Sequence, residues 1–310
     1  FRISPRRKQR RLALVWKCQY PVGIHFAISQ IISYLGLYLL VRRTGGDMSA
    51  YYQHVLMLTG LTGILAAIPC IWLYRGDFVR RRKTGILQAA VVKPTLKAES
   101  EAVSEKMNGG VRRGGKIFAT GHRLRISEIL VLLVTGAFLG QYGNILVGLF
   151  QQYLNPEAYQ ETQSLISEGK SIWSLVFWMG IVAPFAEEVI FRWMVFLRMR
   201  DNMRAITAAL LSGLTFGIYH MNLMQGVYAA IMGLLFALIL EWRGNLFASV
   251  FLHMGANIWS LLIGDVMLYM LDHTGATSVI ALNLFLVFCG IYGIWRCYKN
   301  YQKRECTRLI

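Results

Sequence analysis

Apolar runs long enough to cross a bilayer recur eight times along this chain. They lie near residues 21–41, 55–74, 128–150, 172–197, 205–221, 225–240, 246–263 and 278–295. About 20 apolar residues span the hydrocarbon core as a helix. Lipid offers the backbone no hydrogen-bond partner, so each run must satisfy its own amides as an α-helix. The expected fold is therefore all-α, a polytopic transmembrane helical bundle of about eight spans. The fifth and sixth runs are short and joined by MNLMQG, so their edges are soft. Composition points the same way: 55% of residues are hydrophobic and 16% charged, where a soluble domain carries roughly a quarter charged.

The charge is lopsided, with 33 Lys and Arg against 16 Asp and Glu and a net charge of +17. With eight spans and both termini in the cytoplasm, all these cations face inside except Arg42, Arg43 and Lys170. Positive-inside topology explains that split. Nucleic-acid binding would want the basic residues on a soluble module, and none is evident. The organisation expected is a basic cytoplasmic N-tail at 1–20, two N-terminal helices in 21–74, a basic cytoplasmic loop at 75–127, a transmembrane core at 128–295 and a basic cytoplasmic C-tail at 296–310. The RRKQRR cluster at 6–11 reads as a cytoplasmic anchor rather than part of a secretory leader. The 75–127 segment, with RRRKTG and NGGVRRGGK, reads as a flexible or partly helical loop. The five cysteines form no CxxC pair, which argues against a disulfide framework or a thiolate zinc cluster. No glycine-rich nucleotide loop is present.

Three polar clusters interrupt the apolar runs within 172–263. In AEEVIFR, 186–192, Glu188 and Arg192 are four apart and share a helix face, so they can pair. Glu187 is turned about 100° from Glu188 and points elsewhere. An ionisable side chain in mid-span costs at least about 2.5–3.5 kcal/mol, so a functional site is the default reading of an intramembrane carboxylate. Pro184 just upstream can kink the helix or start a new segment. In FGIYH, 216–220, Phe216 and His220 are four apart; in HMGAN, 253–257, so are His253 and Asn257. Gly255 lets a backbone or a substrate come close. Taken singly, each cluster also reads as structural, as an ion pair or as interhelical hydrogen bonds.

Depth ties the clusters together. At 1.5 Å per residue, Glu187 lies about 20 Å from Arg200 at the cytoplasmic end of its span, and His220 about 24 Å from Arg204. Asn257 and His253 lie about 18 and 12 Å from Asn245. One slab of the bilayer therefore holds a glutamate, two histidines and an asparagine from three helices. Such a set can activate water and hold an oxyanion.

The order E-E-x-x-x-R, F-x-x-x-H, H-x-x-x-N on successive spans resembles the CPBP group of intramembrane proteases, which includes the Rce1-like CAAX prenyl endopeptidases and the bacteriocin-processing and self-immunity (Abi) proteins. The resemblance covers about 172–260. The chain departs from the group by carrying Trp193, where glycine often follows the motif arginine. The resemblance implies that Glu187 activates water with help from His220, that His253 and Asn257 stabilise the oxyanion, and that Glu188 and Arg192, with Phe216, hold the architecture. The group is often labelled metalloprotease, yet H-E-x-x-H is absent and no metal is expected to be obligatory. Zinc on Glu187, His220 and His253 stays chemically feasible. The implied partners are membrane lipid and a peptide or lipidated protein substrate, and the expected location is a bacterial plasma membrane. The alternative class is a proton-coupled transporter, or a bacteriocin self-immunity or scaffold protein without proteolysis.

Overall fold

The computed structural model describes residues 5–47, 49–76, 124–150 and 169–309 together with Glu157 and Ser164, and among these described residues the chain forms eight long helices. They are α1 (Pro5–Arg43), α2 (Ser49–Leu73), α3 (Ile126–Phe150), α4 (Ile172–Arg200), α5 (Ala205–Tyr219), α6 (Leu223–Arg243), α7 (Leu246–Thr274) and α8 (Ala276–Leu309). No strand occurs among the described residues. Each expected span coincides with one helix. Among the described residues, seven helices are long and apolar enough to cross a membrane. The exception, α5, has 15 residues. At 1.5 Å per residue it reaches about 22 Å, short of the roughly 30 Å of hydrocarbon. The chain is an integral multi-pass membrane protein with a helical bundle fold.

Two helices outrun their apolar cores. The first continues back to Pro5, through the basic tail, and the last runs on to Leu309. Arg, Lys, Gln, Leu and Ala are all good helix formers, so a polar end does not stop the helix. Most of the 75–127 loop and of the 151–171 segment lies outside the described residues.

The centre of the bundle is α4. Every residue from Val189 to Leu197 is buried, as expected of a helix that is apolar all round. It packs against α1, α2, α5 and α7. It also changes winding along its length. Val176–Val182 and Val189–Phe196 are π-helical, with the Ala183 amide bonded to the Trp178 carbonyl and the Leu197 amide to the Arg192 carbonyl. Pro184 starts the α-helical turn Ala183–Glu188 between them. Proline has no amide hydrogen, so a changed bonding pattern costs least there. Inserted π turns are frequent at functional sites.

On the other side, α7 packs closely on α3 because glycines open both surfaces. A Cβ at Gly255 would collide with the Leu133 carbonyl, and one at Gly136 with the Leu252 carbonyl. Gly255 therefore admits a neighbouring helix backbone, a common device in membrane helix packing.

Several helix ends are fastened together at one end of the bundle. Arg200 at the end of α4 binds Glu241 near the end of α6 through Nε and Nη2 at 3.0–3.1 Å. Arg243 pairs with Glu128 at the start of α3. Arg198 donates to the Lys17 carbonyl of α1 at 3.4 Å and lies over Tyr74, just past α2, at 4.4 Å. The ends of α2, α4 and α6, the start of α3 and the basic part of α1 thus share one level.

Candidate active site

The two adjacent glutamates have different surroundings. Glu188 is completely buried. Its Oε2 lies 3.1 Å from Arg192 Nε, across the i,i+4 spacing. The Ser249 hydroxyl, on α7, also reaches Glu188 Oε2. His253 Nδ1 donates to Glu188 Oε1 at 3.0 Å. Both oxygens are thus engaged. Glu187 remains about a quarter exposed, and its Oε2 stands 3.6 Å from His253 Nε2. His253 therefore bridges the two carboxylates, one at each ring nitrogen. Because Glu188 accepts from Nδ1–H, Nε2 is the nitrogen left facing Glu187 and the cavity beyond.

Aromatic rings and further hydrogen bonds fix the rest. Phe236 stacks on His253 with centroids 4.3 Å apart. Phe216 meets both histidines edge-on, His220 at 4.7 Å and His253 at 5.8 Å. Arg192 is fully buried and spreads its guanidinium over Phe216 at 4.8 Å and Phe236 at 5.6 Å. His220 closes α5 as its C-terminal cap. Its Nδ1–H donates to the Phe216 carbonyl at 2.8 Å, which leaves Nε2 without that duty. Met221, next in the chain, has φ 54°, uncommon for a non-glycine residue. Asn222 then caps α6 by accepting from the Gln225 amide at 3.0 Å. Asn257 donates from Nδ2 to the Met179 carbonyl, in the first π-helical stretch of α4, at 2.9 Å. An amide nitrogen carries two hydrogens, so the second is not consumed by this bond.

Glu187, Phe216, His220, His253 and Asn257 all line one cavity of about 270 Å³. Its remaining wall is largely apolar, with Val55 and Leu56 from α2 and Met232 from α6. Glu188 and Arg192 are packed behind it. Three participants had not been singled out in the sequence: Ser249, Phe236 and Ser212, whose hydroxyl lies 3.5 Å from Arg192 Nη1 and donates to the Phe191 carbonyl. Ser249 did leave a trace, being four residues before His253 on the same helix face.

Among the described residues no three His, Cys, Asp or Glu side chains gather as a metal-holding group. His253 donates Nδ1–H to Glu188 and His220 donates Nδ1–H to a carbonyl, which leaves Nε2 of each ring outside those bonds, an arrangement that metal-ligating histidines also use. Glu187, His220 and His253 line the same cavity, with His253 Nε2 3.6 Å from Glu187 Oε2.

Comparison with known proteins bears on the same helices. The family model of type II CAAX prenyl endopeptidases, Rce1-like, matches residues 169–259. A Bacillus subtilis (strain 168) protein named "Putative membrane peptidase YdiL" is 23% identical over 146 residues. That alignment covers 46% of this chain and 59% of the relative, so the chain spans about three fifths of the relative's length. No solved structure matches. The matched segment runs from just before α4 into the site-bearing part of α7. Over that segment, the one that builds the cavity, the chain is similar to the Rce1-like CAAX prenyl endopeptidases, as its three motifs implied.

Proposed function

We propose that this chain is an intramembrane endopeptidase in which Glu187 activates the hydrolytic water. The observation that carries this reading is the division of labour between neighbouring carboxylates. Glu188 is saturated by Arg192, Ser249 and His253, whereas Glu187 opens on the cavity opposite His253 Nε2. In the proposed reaction Glu187, assisted by His220, takes a proton from water, and the hydroxide attacks the scissile carbonyl carbon. The oxyanion accepts hydrogen bonds from Asn257 and from His253, which donates at Nε2 when its ring carries both protons and Glu188 is the counter-charge. Glu187 then returns the proton to the leaving nitrogen as the C–N bond breaks, giving a carboxylic acid and an amine, between which one proton then moves to leave carboxylate and ammonium. General acid–base help contributes typically about 10²–10⁴ in rate, and each oxyanion donor about 10²–10³. No step runs through a metal.

The apolar cavity wall suits a peptide held at the membrane, either a lipidated CAAX-type C-terminus or a hydrophobic peptide precursor. The cation split supports placing both termini, and the tied end of the bundle, in the cytoplasm, in a bacterial plasma membrane. The test is direct. Purified protein in liposomes is given a farnesylated C-terminal peptide and a hydrophobic leader-type peptide, and the products are weighed by mass spectrometry. The expected result is two fragments whose masses add up to one peptide plus one water. Protein with a cooperative thermal transition that leaves both peptides intact would refute the proposal.

A further inference from the structure

Glu187 borders a second cavity, about 190 Å³ in volume, on the side facing the N-terminal helices. His25, Ser29 and Ser33 of α1, Thr59 and Thr62 of α2, and Tyr219 of α5 line it. The first cavity is mostly apolar around its chemical groups; this one is rich in hydroxyls. Apolar neighbours do not explain so many polar side chains at this depth, because a buried hydroxyl without a partner is costly.

The hydrogen bonds inside it have a direction. The Gly63 carbonyl can only accept, so His25 Nε2–H donates to it at 3.1 Å. His25 Nδ1 then carries the lone pair and accepts from the Tyr219 hydroxyl at 2.9 Å. Tyr219, having donated its proton, still presents acceptor lone pairs to the cavity. The buried Ser29 hydroxyl lies beside Tyr219 without an aligned hydrogen bond. Ser33 and Thr62 are 3.5 Å apart, at the limit of a direct bond. A polar cavity holds water when it has about 10–15 Å³ per molecule and two to four partners for each. This one is several times larger than a single water requires.

We propose that this cavity is a water reservoir that feeds Glu187, with His25 and Tyr219 as the positioning pair that orders the water next to the carboxylate. The proposal rests on the reading of Glu187 as the base. A hydrolase inside a bilayer needs an apolar route for its substrate and a polar route for its water. Here two cavities with largely apolar walls meet at one carboxylate, and the second presents five hydroxyl side chains where the first presents Thr59 and Tyr228. The N-terminal helices, which lie outside the segment matching the Rce1-like model, thereby acquire a task in the reaction. A purely structural clamp among α1, α2 and α5 would use the same His25 and Tyr219 bonds but would need no water.

Radiolytic hydroxyl-radical footprinting of the full chain in lipid nanodiscs separates the two, because radicals born from bound water label the side chains that touch it. His25, only 5% exposed, and Tyr219 should label at least tenfold more than Phe196, which is buried with no exposure. The Ser29→Ala/Thr62→Val variant changes the cavity's shape little and removes two of its five hydroxyls, including the buried one beside Tyr219. It should bring His25 and Tyr219 labelling down to the Phe196 level. In the peptide assay it should lower kcat about tenfold and leave KM within twofold. If that variant lacks a thermal transition, Tyr219→Phe replaces it, since the ring keeps its packing on Phe191 at 5.1 Å. Its His25 labelling and its kcat should each fall at least threefold. Wild-type labelling no higher than Phe196 would overturn the reservoir, and so would lost labelling with unchanged kcat. Strong labelling in a chain that cleaves no peptide would sustain the hydrated cavity and defeat the endopeptidase reading instead.

Discussion

Replacing Arg192 by Met removes a charge from the least exposed part of the molecule. Arg192 and Glu188 are both fully buried and 3.1 Å apart. Breaking a buried pair by deleting one partner costs about 3–5 kcal/mol, because the other charge is stranded. Two features move the expected value within that range. Glu188 would keep Ser249 and His253, which lowers the penalty. The contacts of Arg192 with Phe216 and Phe236 would also go, each worth up to about 2 kcal/mol when desolvated. Arg192 Nη2 has no hydrogen-bond acceptor among the described residues, and the faces of Phe216 and Phe236 lie against the guanidinium. The two adjustments oppose each other, and the expected loss stays near 3–4 kcal/mol. At about 2–4 °C per kcal/mol for a domain of 150–250 residues, that is a fall of roughly 6–16 °C in Tm. The assay is a thermal-shift series in detergent on wild type, Arg192→Met, Glu188→Gln and the double variant. The double variant strands no charge and should recover at least half the Arg192→Met loss. Strict additivity of the single losses would refute the pair, since coupled residues depart from additivity and independent ones do not.

Three further outcomes follow. Asn257→Ala should lower kcat about a hundredfold with KM nearly unchanged; an effect confined to KM, read from peptide-cleavage kinetics, would remove Asn257 from oxyanion binding. Exhaustive chelation followed by metal analysis should leave activity in place, and stoichiometric zinc whose removal and return switch the activity off and on would contradict the metal-free scheme. Single cysteines introduced in 85–120 should react only from the cytoplasmic side and those in 155–168 only from outside, whereas labelling of both loops from one side would break the proposed topology.

What could be read in advance follows from which interactions are local. The eight helices were legible because a bilayer leaves the backbone one solution. The Glu188–Arg192 pair was legible because both residues sit on one helix at i,i+4. Depth arithmetic on straight helices put Glu187, His220, His253 and Asn257 in one slab of the bilayer, and in the structure all four line one cavity. The pairing across helices was not legible. Glu187 looked partnerless from α4 alone, yet His253 Nε2 faces it from α7 while Nδ1 binds Glu188. That arrangement depends on the rotation of α4 against α7, and the π-helical stretches alter that rotation without a signal in the hydrophobic pattern. Ser249 and Phe236 were missed for the same reason, since each acts through a neighbouring helix. Gly255 was foreseen as a point of close approach, but sequence spacing could not say that the Leu133 backbone occupies it. The basic N-terminal stretch shows no hydropathy signal although it continues α1, because helix propensity and hydrophobicity are separate properties.

In the proposed reaction Glu187, and not its buried neighbour Glu188, activates water. The most direct measurement is single-turnover cleavage of a membrane-associated peptide by wild type and Glu187→Gln, with Tm measured on the same preparations. Glutamine keeps the volume and loses the basic oxygen, and Glu187 is partly exposed to the cavity rather than tied into the Arg192 network. Glu187→Gln should lower the cleavage rate at least a hundredfold with Tm within about 2 °C of wild type. Cleavage at the wild-type rate by a Gln variant with an unchanged thermal transition would contradict it.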